Sequence, residues 1–182
     1  MEICPIFVDI CPIGYNPQAM KINFEKKLDK EISDFLKRSM SPEAVISINE
    51  DLTYSDFLSN KMLIISAIRV GIPYSLFDLI RVQTPFSEGD WADILDISTK
   101  TLHRYKQSSI SFRSTQSEKI IEMSEVTKVG MEVFEDMEKF KLWLDTPNFS
   151  LGNLKPIELL RDSYGKELVI SELTRINFGI LV

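Results

Sequence analysis

Apolar residues recur along most of this chain at the three-to-four spacing of a helix with one buried face. Between residues 23 and 38, Phe24, Leu28, Ile32 and Phe35 follow that spacing, with Asn23 placed to cap the run and Ser41-Pro42 to end it. Thr53-x-x-Asp56 opens a second pattern through Phe57, Leu58, Met62, Ile65 and Ile68, closed by Gly71 and Pro73. Short helices are predicted over Ser75 to Val82, Glu88 to Leu95 and Ser98 to Gln107. From about Ser117 a longer stripe runs through Ile120, Met123, Val126, Val129, Val133, Met137, Phe140 and Leu144, as one helix or two jointed near Asp136, and Pro147 stops it. After a loop marked by Asn148, Gly152 and Pro156, two more helices are predicted, Pro156 to Tyr164 and Glu167 to Phe178, separated by Gly165 and ended by Gly179. The class is therefore mainly α. Only the start departs from it: Ile3-Cys4-Pro5-Ile6 recurs as Ile10-Cys11-Pro12-Ile13, where each proline favours extended backbone.

Composition agrees with a folded chain. At 182 residues, 44% hydrophobic and 26% charged, it has the make-up of one globular domain or two small ones and is too short for a large multidomain enzyme. Charge adds what periodicity does not. The net charge of −6 is unevenly placed: residues 97–119 hold 5 basic and 1 acidic side chains, a basic island in an acidic chain. Cys4 and Cys11 are too few and too close for a secreted disulfide framework, and without nearby histidine they make at most half a zinc site. With no basic leader and no apolar run of spanning length, a cytoplasmic protein is expected, with no membrane contact, no metal and no cofactor.

The island coincides with a more specific arrangement. A helix-turn-helix needs a small residue where two helices cross, apolar wedges and a short turn. Ala92 is the small residue, Trp91 and Leu95 face inward, Asp96 takes the turn, and Ile97, Leu102 and Tyr105 supply the apolar positions after it. Ser98 can cap the second helix, whose outer side then carries Thr99, Lys100, His103, Arg104 and Gln107, with Arg113 in the serine-rich loop beyond. Cations and hydroxyls there suit DNA phosphates, and His, Gln and Arg can reach base edges. A solvated face on an ordinary helical packing is the plainer alternative.

Catalysis finds no assembled group. His103 is the only histidine and has no carboxylate at helical spacing on its own helix; there is no glycine-rich phosphate loop and no HExxH. A non-enzyme is expected.

From about Met62 onward the chain resembles the Xre/MbcA/ParS antitoxins. The likeness rests first on Trp91-Ala-Asp-Ile-Leu-Asp-Ile-Ser-Thr-Lys-Thr-Leu-His-Arg-Tyr105 and more specifically on the series Trp143-Leu144, Pro147-Asn148, Leu151-Gly152, Pro156, Leu159-Leu160, Gly165 and Gly179. Asn153 stands where the family often has a second glycine, and Asn also tolerates left-handed backbone. The resemblance implies three parts: an N-terminal extension (1–50) of unknown role, an Xre-like helix-turn-helix domain (51–119) and a small helical toxin-binding domain (120–182). It further implies an antitoxin that binds a RES-type, NAD-consuming toxin and represses its own operon as a homodimer on operator DNA. By position, the toxin-binding motif becomes Trp143, Pro147, Asn148, Leu151, Gly152, Pro156, Leu160, Gly165, Arg175 and Gly179, with Ile180, Leu181 and Val182 as a plug at the toxin's active-site entrance. Within that set Trp143, Leu160 and Leu173 read as core, and Gly152 and Gly165 as turns needing positive φ. Two other readings stay open: a stand-alone transcription regulator whose C-terminal domain dimerises, and a small enzyme with an unrecognised site.

Overall fold

A computed structural model describes residues 17–39 and 52–180. The Cys4/Cys11 repeat, the Ser41-Pro42 stop and the tail residues Leu181 and Val182 lie outside the described residues. Within them the chain is helical, and its only β pairing is two isolated bridges. No helix among the described residues is long and apolar enough to cross a membrane.

Helix α1 spans Pro17–Ser39, starting six residues before Asn23 at a proline, which fits the first helical turn because it has no N–H to leave unpaired. It buries Leu28, Ile32, Phe35 and Leu36 against α2 (Tyr54–Ser59), α3 (Lys61–Val70) and α4 (Tyr74–Val82), so this part of the expected extension belongs to the core. The single pattern expected from Thr53 to Ile68 divides at Asn60. Its side-chain oxygen accepts the N–H groups of Met62 and Leu63, capping a new helix one residue after Ser59. The Thr53/Asp56 capping box forms at the start of α2.

Next come α5 (Glu88–Ile94), α6 (Thr99–Ser108) and the long α7 (Ser114–Phe134). Ser117, expected to begin α7, is instead buried in its first turn. Its hydroxyl accepts the Ile72 N–H at 2.9 Å and donates to the Phe112 carbonyl at 3.3 Å, tying the start of α7 to the α3–α4 turn. Helix α7 is buried on several sides. It packs on α3, on α8 (Met137–Leu144) and on α10 (Ser163–Asn177), and its Ser124 and Thr127 hydroxyls donate back to the Ile120 and Met123 carbonyls, so both buried hydroxyls are paired. The division expected between residues 119 and 120 falls inside this helix.

The joint near Asp136 is present. Glu135 turns the chain at φ +56°, Asp136 caps α8, and Phe140 then stacks on Gly130 of α7, where a Cβ would lie 2.3 Å from the ring. A single 3₁₀ turn (Phe149–Leu151) and the four-residue α9 (Pro156–Leu159) lead into α10. The break expected at Gly165 falls earlier, between Leu159 and Ser163. Gly165 lies inside α10 without positive φ, and its role is close approach: a Cβ there would sit 2.0 Å from the Leu159 carbonyl oxygen.

Candidate binding surfaces

Two surfaces carry the residues singled out by sequence. The first is built on α5 and α6. Helix α5 ends in a turn where Asp96 adopts φ +52°, with the Ile97 N–H returning to the Ala92 carbonyl at 3.0 Å. Trp91, Ala92, Ile94, Leu95 and Leu102 are buried, and Ile97 and Tyr105 pack against that core. An aromatic chain fixes the pair to its surroundings: Trp91 meets Phe77 edge-on at 5.1 Å, Phe77 meets Phe112 at 4.9 Å, and Phe112 stacks on Tyr105 at 4.8 Å. Phe112 lies in the segment between α6 and α7 with its ring in the core, so the serine-rich loop is pinned down, and it is shorter than expected because α7 begins at Ser114.

With Leu102 and Tyr105 turned inward, Thr99, Lys100, His103, Arg104 and Gln107 share the exposed side of α6, joined by Lys106, which had not been singled out. Ser98 is occupied with capping: its Oγ accepts the Thr101 N–H at 3.1 Å and contacts the Thr101 hydroxyl at 2.9 Å. Arg113 stands exposed at the head of α7, its N–H donated to Gln116. The carboxylate missing from the sequence neighbourhood of His103 arrives from α5: Glu88 lies 3.4 Å from its Nε2 in an exposed pair. Helix α1 rests on α2, α3 and α4, and among the described residues the outer side of α6 is exposed.

The second surface is built from α8 to α10. Trp143 is half-buried and packs with Phe134 at 5.8 Å and Phe140 at 6.3 Å, while Leu160 and Leu173 are fully buried. Asn148 organises the loop. Its side chain accepts the Ser150 N–H, its backbone bridges to Leu154, and its carbonyl receives the N–H groups of Leu151 and Asn153. Gly152 and Asn153 both adopt left-handed backbone, at φ +70° and +61°. Leu151 and Pro156 are buried, whereas Pro147 and Gly152 are exposed. Arg175 is half-buried, 3.4 Å from Glu172. Gly179 ends α10 at φ +67°, and Ile180 beyond it is exposed. Sequence reasoning passed over the exposed apolar side chains of this region: Leu142, Phe149, Leu154, Tyr164, Leu168 and Phe178. The signal for three of them was available, since Tyr164, Leu168 and Phe178 fall on the side of their helix opposite Val169 and Leu173.

Between the surfaces run ion pairs that no local pattern reveals. Lys61 of α3 and Lys166 of α10 both bond Glu125 of α7, at 2.6 and 3.1 Å, and Arg161 reaches Asp93 of α5 at 2.6 Å. Burial pushes the Glu125 carboxyl up, but the bonds from the two lysines outweigh it and hold the group below the usual carboxylate range.

What this geometry defines is a mainly helical protein with an exposed basic helix and a C-terminal segment whose 148–154 loop is organised by Asn148. Residues 130–179 match the family described as the antitoxin Xre/MbcA/ParS C-terminal toxin-binding domain, in keeping with the resemblance read from the sequence. No curated protein matches the chain significantly. Among solved structures, a chain from the crystal structure of the M. tuberculosis MbcT–MbcA toxin–antitoxin complex is similar at 23% identity and a TM-score of 0.46, covering 53% of this chain and 86% of its own length.

Proposed function

We propose that this protein is an antitoxin that neutralises a RES-type, NAD-consuming toxin by direct binding through residues 120–182 and represses its own operon through the helix-turn-helix of residues 51–119. The observation that carries this reading is the family match over 130–179, together with the way the motif folds. Asn148, Gly152 and Asn153 set a rigid loop between α8 and α9, Leu151, Pro156 and Leu160 anchor it, and Gly165 seats α10 beside it. The DNA half of the reading is supported by α6. Its exposed outer side presents Lys100, Arg104 and Lys106 for phosphate neutralisation, with Thr99, His103 and Gln107 among them to meet base edges. A cytoplasmic homodimer on a two-fold operator is the form in which such a helix would act. The tail from Ile180 to Val182 is assigned to the entrance of the toxin's active site.

Expression of the tagged full chain in its source cells, followed by purification and mass spectrometry, tests the reading. Recovery of a RES-domain protein, and loss of that protein's NAD consumption on adding the purified chain, is the expected result. Absence of any such partner while the operon is expressed would leave only the regulator reading, to be decided by a gel shift with the upstream DNA.

A further inference from the structure

Helix α10 carries two faces. At 100° per residue, Gly165, Val169, Glu172, Leu173 and Ile176 gather on the side packed against α7, and Tyr164, Leu168, Ser171, Arg175 and Phe178 fall within a sector of about 80° on the opposite side. Three of the five residues in that outer sector are large and apolar where a solvated helix would be polar throughout: Tyr164 is 84% exposed, Leu168 56% and Phe178 74%. Phe149, 78% exposed, stands on the 3₁₀ turn that packs against this same helix, and Ile180 continues from its end. A full aromatic side chain offers about 150–250 Å², so the three aromatics at these exposures present about 500 Å² and the set with Leu168 and Ile180 about 700 Å². That approaches the roughly 800 Å² per partner of a standard protein–protein interface, and it exceeds what a monomer leaves bare without a use for it.

We propose that this stripe, rather than the motif residues beneath it, is the docking face for the toxin, and that its complement is an apolar groove on the RES-type protein with an acceptor opposite Arg175. The inference rests on the antitoxin reading. It is favoured by the area, and by the stripe lying wholly within the segment that matches a toxin-binding family and leading directly into Ile180. Under this assignment Leu151, Pro156 and Gly165 hold α10 in place, and Tyr164, Leu168 and Phe178 make the contact.

The test uses the full chain and the RES-domain protein that it recovers from the source cells, with dissociation constants measured by calorimetry. Tyr164→Ala and Phe178→Ala are each expected to weaken binding about 30-fold or more, and Leu168→Glu similarly, as anchors at the centre of an interface do. Val82→Asp, at an exposed apolar residue of α4, leaves binding unchanged. Unaltered thermal melts of all four variants establish that folding is intact. Binding within threefold of the parent in all three stripe variants would overturn the assignment while leaving the antitoxin reading standing. Failure of the parent chain to bind any RES-domain protein would remove both. A parent that self-associates in light scattering, and becomes monomeric on Leu168→Glu without any toxin present, would make the stripe a contact between copies and overturn the proposal.

Discussion

Replacing Gly165 with alanine sets two effects of opposite sign against each other. By helix propensity alone the change stabilises an α-helix by about 0.8–1.0 kcal/mol, because glycine loses more backbone freedom on folding. The structure opposes it. The new Cβ would lie 2.0 Å from the Leu159 carbonyl oxygen and 2.8 Å from its carbon, atoms of a backbone held between the capped 148–154 loop and α10. Relief requires a shift of about 1 Å in an element whose neighbours Leu160, Val169 and Leu173 are fully buried, and overpacking of that kind costs about 1–3 kcal/mol. With the propensity gain subtracted, Gly165→Ala is expected to be destabilising by up to about 2 kcal/mol, which for a chain of this length lowers Tm by at most about 4–8 °C. Thermal unfolding followed by circular dichroism, with chemical denaturation as a check on two-state behaviour, measures it. A rise in Tm would mean that propensity dominates and that α10 does not lie as close to Leu159 as described, which would also unseat the stripe that α10 presents.

Three further outcomes follow from the same structure. Because the Glu125 carboxyl is held below its ordinary range in the folded protein, its contribution to stability is present above the unfolded pKa and lost as pH falls through the folded one, so the pH dependence of urea midpoints on the acid side should be shallower in Glu125→Gln than in the parent. Asn60→Ala removes the cap between α2 and α3 and should cost about 0.5–2 kcal/mol in denaturant unfolding, whereas Asn60→Asp should be nearly neutral. If Lys100 and Arg104 each neutralise a phosphate, their double replacement by alanine should weaken operator and unrelated DNA alike and reduce the salt slope by about 2, measured by fluorescence anisotropy across salt; an unchanged slope would refute their role.

The helical class, the α5–α6 turn at Asp96 and the joint at Asp136 were legible because each is written in neighbouring residues: a capping side chain, a periodic stripe, a residue that tolerates positive φ. Asn60 was missed for the opposite reason. The buried set runs from Phe57 and Leu58 into Leu63 and Ile64 on either side of it, so periodicity continued while the backbone did not. Gly165 was misread because glycine signals both turns and close approach, and only the position of Leu159 decides between them. The Glu125 bonds and the Glu88–His103 pair join residues 64, 41 and 15 positions apart, beyond the reach of any local pattern. The stripe on α10 was partly legible. Tyr164, Leu168 and Phe178 look like core in composition, but their spacing sets them opposite Val169 and Leu173, and the packing of α7 on that other side leaves them exposed.

Helix α7 begins at the strap that follows α6 and ends at the joint that launches α8, so a single rigid rod of 21 residues belongs to both halves of the molecule. This bears on how such a protein can be inherited in pieces. A recombination point at residue 119 or 120 would hand each descendant half a helix, with Ile120, Met123 and Val126 deprived of the partners that bury them. Crossovers that preserve a working protein should instead fall in the strap between Ser109 and Arg113 or at Glu135-Asp136, so α7 travels intact with one neighbour or the other. A chimera joined at either place must also keep Lys61 or Lys166 opposite Glu125, which ties the ancestry of the half that carries α6 to that of its companion.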